Sequence, residues 1–211
     1  MKSQDVYEFF SRLQKENPNP KSELDYTNAY TLLVAVVLSA QSTDIGVNKA
    51  TRKLFQVADT PQKMLNLGIN RLIDHIKTIG LYNNKAKNIM AAAEMLVNEH
   101  EDTVPDNREK LVKLPGVGRK TANVLLNVYF KQPTMAVDTH VFRVSNRTRL
   151  APGKKPDAVE QALLQVVPKE FALHAHHWLI LHGRYTCKAR NPDCAGCLVH
   201  DLCQFEDKAT R

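Results

Sequence analysis

No cysteine occurs before Cys187, so no disulfide staples the body of this 211-residue chain. No apolar stretch is long enough to cross a membrane. The longest, Leu32–Leu38, falls far short of the ~20 residues that a spanning helix needs. The N-terminal run Met1-Lys2-Ser3-Gln4-Asp5 has no apolar core segment, so no signal peptide is expected and the setting reads as cytosolic and reducing. Strand-type alternation is almost missing, which leaves an all-α class. Acidic residues are in deficit, with 22 Asp and Glu against 29 Lys and Arg and a net charge of +7. That balance favours a polyanionic partner such as nucleic acid. The length suffices for a core and one or two small domains.

The most informative stretch runs from Leu114 through Pro115, Gly116, Val117, Gly118, Arg119 and Lys120 to Leu126. It reads as a tight turn feeding a helix. Pro115 cannot continue a preceding helix, and the two glycines leave the backbone open to an approaching group. Val124, Leu125 and Val128 give the spacing of a buried helical face. The stretch lacks the four residues that a P-loop places before its Gly-Lys pair. It also lacks a Rossmann fingerprint's third glycine, since Thr121 stands there. Unpaired N–H groups at such a helix start suit a phosphate. Upstream, Asp106 and Glu109 have the spacing of a capping box, so helix, Gly-rich hairpin, helix is the expected unit, at about 106–130. Lys120 falls in the first turn, where a cation opposes the helix dipole. If it is also partly buried, its pKa should fall and free the amine as a nucleophile. Otherwise it meets a phosphate as a point charge.

Val6, Phe9, Phe10 and Leu13 mark an amphipathic N-terminal helix. Asn28–Ala40 is apolar nearly all round, as in a buried helix, although its β-branched content also allows a buried strand. A polar segment, Ser39 to Asp44, follows abruptly, with Asp44 as an N-cap candidate for the next helix. Thr60-Pro61 reads as an N-cap followed by proline at the first helical position. Leu72, Ile73 and Ile76 mark a further helix, and a long one is expected from Asn84 to about Glu99. Lys77, Gly80 and Ala86 faintly echo Lys113, Gly116 and Ala122, which would set Leu81 and Val117 at corresponding tips. Asp138 is the N-cap candidate of a helix carrying Val141, Phe142 and Val144. A helix from Lys120 to Phe130 is roughly 15 Å long, and residues 131–138 can span up to about 28 Å. The Asp138 carboxylate can therefore also return to the lysine's end of that helix. Two more helices are expected, one with Val159, Ala162, Leu163 and Val166 on its apolar face and one opening at Pro168. His176 and His177 read as polar-face or core residues.

Cys187, Cys194, Cys197 and Cys203 are spaced C-x6-C-x2-C-x5-C. In a reducing compartment such clustered thiols bind metal rather than pair as disulfides. Four thiolates suit zinc or an iron–sulfur cluster alike.

Four blocks together carry a family resemblance: Leu38–Asp44, Leu114–Asn123, Ala136–Arg143, and the cysteine tail preceded by His182-Gly183-Arg184-Tyr185-Thr186. In these the chain resembles the endonuclease III family, bifunctional DNA glycosylase/abasic-site lyases of the helix-hairpin-helix superfamily. The resemblance implies a two-domain all-α fold, with a six-helix domain over residues 22–132 and a cluster domain formed by residues 1–21 and 133–211. It implies a [4Fe–4S] cluster held by the four cysteines in a loop at 187–203, with a structural and DNA-positioning role. Gly116, Val117, Gly118, Arg119 and Thr121 would grip the phosphate backbone, with His140 a further DNA contact. Gln41 and Leu81 would fill and wedge the gap left by an extruded nucleotide. Lys120 would attack C1′ of an oxidised pyrimidine nucleotide in double-stranded DNA, or of an abasic site, with Asp138 assisting. The expected enzyme is a monomer without membrane contact, working on the nucleoid in base-excision repair. The sequence leaves two rival readings. A monofunctional relative would typically lack the lysine, and a zinc-tailed binding module would make Lys120 and Asp138 dispensable.

Overall fold

The computed structural model describes residues 1–208, and all regular structure among them is helical. The chain divides into two compact units, one of Ser22–Lys131 and one that joins Met1–Lys21 to Gln132–Arg211.

The Ser22–Lys131 unit is built around a helix that is buried along nearly its whole length. The N-terminal helix α1 (Ser3–Glu16) belongs to the other unit, so this buried helix is α2 (Ala29–Ser39). Tyr30 to Leu38 are all buried, which settles the helix-or-strand ambiguity of its β-branched run. Each fully buried Leu or Val contributes roughly 1.5–3 kcal/mol of apolar burial, ample to override modest helix propensity. Its start is a capping box: Asn28 Oδ1 accepts from the Thr31 N–H at 2.9 Å, and Thr31 Oγ1 accepts from the Asn28 N–H at 3.0 Å. Around it lie α3 (Asp44–Val57), α4 (Pro61–Leu67), α5 (Ile69–Ile76), α6 (Tyr82–Glu99), the single turn α7 (Arg108–Leu111) and α8 (Arg119–Val128). Helices α3, α6 and α8 pack on α2, while α4 and α5 pack on α6.

Several helix starts differ from expectation by one or a few residues. Thr43, not Asp44, caps α3, because its Oγ1 accepts from the Gly46 N–H at 3.2 Å. Asp44 instead sits in the first turn, where its charge suits the dipole. Asn107 caps α7 through a 3.1 Å bond to the Lys110 N–H, in place of the expected Asp106–Glu109 box. The long helix begins at Tyr82 rather than Asn84. On α8, Leu125 and Val128 are buried as expected, but Asn123 and Asn127 are buried too, while Val124 is only partly covered.

The other unit contains α1, α9 (Thr139–Arg147), α10 (Pro156–Val166), α11 (Ala172–Leu181) and a π-helical turn, His182–Thr186. Its core is aromatic. Phe10 stacks on Phe171 with ring centroids 5.9 Å apart, and Phe9 meets Phe10 edge-on at 5.3 Å. Trp178 Nε1 donates to the Asn17 carbonyl at the end of α1 at 2.8 Å. Pro168 does not open α11. It starts a tight turn closed by the Phe171 N–H to Pro168 carbonyl bond, and the helix proper begins at Ala172. Val166, expected on the apolar face, is 39% exposed because α10 ends there.

Candidate functional site

The Gly-rich stretch forms the expected hairpin between α7 and α8. Gly116 stands at φ +79°, in the left-handed region that favours glycine. A Cβ there would also lie 2.8 Å from Asn88 Cβ on α6. Val117 turns inward: its side chain is buried, and its N–H donates to the Leu114 carbonyl at 3.0 Å. It therefore packs the hairpin and spends its own N–H internally. Gly118 is the N-cap of α8 and offers no side chain to cap it. A Cβ on Gly118 would meet nothing within 4 Å. The start of α8 therefore opens onto free space, with the positive end of its dipole facing outward. Arg119 and Lys120 are exposed in this first turn, and Thr121 is half-buried. The condition of partial burial, on which a lowered Lys120 pKa depended, is thus not met. What remains of that argument is the lysine's place at an uncapped helix start.

The echo between the two hairpins is real in the backbone, but its register differs from the expected one. The Ile79 N–H to Ile76 carbonyl bond, 2.8 Å, matches Leu114 to Leu111 at 3.1 Å. Leu81 at φ +59° then occupies the place of Gly116, not of Val117. Further on, buried Ala86 and Ile89 match Ala122 and Leu125, so the second hairpin holds one residue more before its helix. Where the second hairpin has a glycine, the first carries a leucine whose side chain is 59% exposed.

Next to Leu81, within the same unit, lies the polar turn after α2. Gln41 is exposed and also left-handed, at φ +57°. A Cβ on Gly80 would come within 3.7 Å of the Gln41 carbonyl oxygen, so the two turns touch. Beneath them is a residue that the sequence reading missed. Lys85, 6% exposed, points its ammonium at the carbonyls of Leu38 (2.9 Å) and Ala40 (2.6 Å) and at Ser42 Oγ (3.3 Å). Burial pushes its pKa down. The signal was present in the sequence as a lysine in line with the core positions Ile89, Ala92 and Leu96 of α6.

Asp138 and His140 lie in the other unit. Asp138 caps α9 as expected: its Oδ1 accepts from the N–H groups of His140 (2.9 Å) and Val141 (2.8 Å), which leaves Oδ2 outside the cap. His140 is held from two sides. Its Nδ1 lies 3.2 Å from Arg143 Nη2, and a Cβ on Gly183 would come within 2.8 Å of His140 Cβ. The Arg143 guanidinium also donates to the carbonyls of Gly183 (2.6 Å) and Cys187 (2.9 Å), which fixes the π-helical turn and the first cysteine.

All four cysteines line one pocket of about 370 Å³, counting its open mouth. Burial pushes the Cys197 thiol up to about 11, and the neighbouring Cys203, Cys187 and Cys194 sulfurs push the same way. Burial likewise raises Cys203. Thiols whose burial opposes ionisation, as at Cys197 and Cys203, become thiolates when a cationic centre sits beside them. Four thiols lining one open pocket fit a polynuclear cluster. Arg147 Nη1 lies 3.7 Å from Cys187 Sγ and His182 Nε2 lies 3.8 Å from Cys197 Sγ, as polar contacts to the sulfurs. Burial lowers the His182 imidazole to about 4, so it stands neutral beside them. His176 is a buried core residue and His177 is half-buried; neither lines this pocket.

A Gly hairpin opening onto an uncapped helix, in an all-helical unit, defines a helix-hairpin-helix protein, and residues 34–169 match the HhH-GPD superfamily of base excision DNA repair proteins. Residues 187–203 match the iron–sulfur binding domain of endonuclease III. The chain is 57% identical over 201 residues to endonuclease III of Haemophilus influenzae and 56% identical over 201 residues to that of Escherichia coli, with 95% of each chain covered in both cases. It also resembles a solved structure of a trapped endonuclease III–DNA covalent intermediate with an estranged adenine. There the TM-score is 0.90 at 42% identity, over 97% of this chain and 96% of that one. The chain belongs to the endonuclease III family. It is a DNA-binding repair enzyme, a glycosylase with abasic-site lyase activity, and its tail carries a [4Fe–4S] cluster. No helix among the described residues is long and apolar enough to cross a membrane.

Proposed function

We propose that this enzyme removes oxidised pyrimidines from duplex DNA and cuts the strand 3′ to the resulting abasic site, with Lys120 as the nucleophile. The observation that carries the reading is the exposed Lys120 in the first turn of α8, beside Gly118 and the open space around it. A phosphate of the damaged strand seats against the N–H groups of that turn. Gly116 shapes the hairpin and Val117 anchors it, while Gly118 lets the backbone approach, and Arg119 and Thr121 flank the contact. The damaged nucleotide is extruded from the stack. Gln41 fills the gap it leaves, Leu81 wedges the neighbouring bases, and His140 adds a contact to the DNA.

The chemistry follows from a lysine amine meeting a sugar. Nζ of Lys120 bonds to C1′ as the bond from C1′ to the base breaks, and the base leaves with the electron pair. The sugar ring opens to a Schiff base. Loss of a proton from C2′ then expels the 3′ phosphate, and water releases the lysine from the cleaved end. The Asp138 carboxylate, whose Oδ2 lies outside the helix cap, assists deprotonation of Lys120 or stabilises the cationic sugar. The solved relative trapped covalently on DNA supports the reading. Cys187, Cys194, Cys197 and Cys203 are the proposed cluster ligands, and the bound cluster ties their loop together. The enzyme acts as a monomer on the nucleoid in the cytoplasm.

Borohydride trapping on duplex DNA with one oxidised pyrimidine tests this. A covalent adduct with the wild type and none with Lys120→Gln is expected. An alkali-sensitive abasic site without an adduct would mean a monofunctional glycosylase instead.

A further inference from the structure

Two exposed non-glycine residues, Gln41 at φ +57° and Leu81 at φ +59°, stand in touching turns. Each left-handed residue costs roughly 1–2 kcal/mol, so the surroundings must impose these conformations. Leu81 belongs to a hairpin that closes on buried Ile76 and Ile79. The turn that carries Gln41 is closed by the Ser42 N–H to Ser39 carbonyl bond, 3.0 Å, but its two central residues, Ala40 and Gln41, are exposed and bury nothing. The segment is held from beneath by Lys85. The three hydrogens of this ammonium match three acceptors: the carbonyls of Leu38 and Ala40 and the hydroxyl of Ser42. Two of the three flank Gln41 directly in sequence, at Ala40 and Ser42. The Leu38 carbonyl lies in the last turn of α2, whose negative end attracts the charge. Lys85 has no ion pair among those formed by the described residues. Stability alone does not call for such a residue, because an apolar side chain in that core position would avoid desolvating an ammonium.

We infer that Lys85 is a positioning residue for DNA recognition: its ammonium clamps the Leu38–Ser42 segment so that Gln41 is presented beside Leu81. The inference rests on the proposed role of Gln41 in the gap of the extruded nucleotide. It assigns Lys85 no contact with DNA and no part in the chemistry.

The test is a double-mutant cycle on the full-length, cluster-loaded protein, with Lys85→Met, Gln41→Ala and both together. The probe is a duplex with an uncleavable tetrahydrofuran abasic analogue and 2-aminopurine opposite it. Lys85→Met is expected to weaken binding about tenfold, a change of roughly 1.4 kcal/mol, and to alter the 2-aminopurine fluorescence of the complex as Gln41→Ala does. In the Gln41→Ala background the same substitution should add little. An equal loss in both backgrounds would make Lys85 a general packing residue, and no loss in either would remove its role; both results overturn the inference. If Gln41→Ala itself changes neither binding nor fluorescence, the gap-filling reading fails first and the inference falls with it. Ser42→Ala trims one acceptor without touching the core, so it runs the same cycle should Lys85→Met not fold. A loss confined to the wild-type background supports the clamp, and any other pattern counts against it.

Discussion

A Cβ placed on Gly116 would lie 2.8 Å from Asn88 Cβ, whereas one placed on Gly118 would meet nothing within 4 Å. The two glycines of the hairpin are therefore glycine for different reasons. Gly116 is demanded by the fold, through its left-handed φ and its contact with α6. Gly118, at φ −88°, is not. Gly116→Ala should destabilise the protein by roughly 1–3 kcal/mol through backbone strain and overpacking. Gly118→Ala should leave stability within about 1 kcal/mol of wild type and instead weaken binding to abasic-analogue duplex. Thermal unfolding and fluorescence anisotropy on both variants would check this, and a Gly118→Ala protein with wild-type affinity would mean that no backbone approaches there.

Asp138 carries two duties that different substitutions separate. Both cap bonds fall on Oδ1, and an asparagine can accept them equally well. Asp138→Asn should therefore keep its thermal stability and its DNA affinity while single-turnover base release slows. Asp138→Ala should in addition lose about 1 kcal/mol of stability with the cap. If Asp138→Asn turns over at the wild-type rate, the carboxylate does nothing beyond capping α9.

The all-helical class and most helices were legible in the sequence because apolar spacing and cap chemistry are local signals. Thr60-Pro61 and Asp138 mark helix starts as their residue types require. The misplaced starts were cases where two neighbouring residues could both cap. Thr43 and Asp44, or Asp106 and Asn107, differ only in which one the chain path leaves extended. The hairpin was legible from its glycines, but the pairing of Leu81 with Gly116 was not. A left-handed leucine has no sequence mark, since it is imposed by packing. The core register of Lys85 on α6 could be read from the sequence, but its partners could not, because they are mostly backbone carbonyls.

The link between Arg12 on α1 and Asp201 in the tail is a surface device and should behave as one. Arg12 Nη1 lies 2.6 Å from Asp201 Oδ1, and Nη2 lies 3.0 Å from Oδ2. The guanidinium holds the Asp201 carboxyl below its ordinary value of 3.8. A carboxylate with a depressed folded pKa contributes stability that is present above the ordinary value and lost as pH falls through the folded one. The side chains are 31% and 61% exposed, so solvent screening keeps the contribution under about 1 kcal/mol. Asp201→Asn should thus melt slightly below wild type near neutral pH, and the gap should close on acidification through the carboxylate range. A gap that persists unchanged at low pH would mean that shape rather than charge makes this contact.

Cys197 is the thiol that most needs a cationic centre. Burial pushes it up to about 11, and three neighbouring sulfurs add to the shift. Without positive charge among them, the four thiols of the pocket cannot all ionise at neutral pH. Cys197→Ser replaces one soft donor with a hydroxyl that stays protonated, so the set falls to three thiolates. The variant should lose the brown colour and the iron content of the wild type. Its 187–203 segment should become sensitive to protease, because few apolar side chains in that segment are buried besides Val199. The Ser22–Lys131 unit has its own core around α2, so most of the far-UV helical signal should survive. Retention of full iron and colour in Cys197→Ser would overturn the ligand assignment. A collapse of all helical signal would mean instead that the cluster supports folding well beyond its own loop.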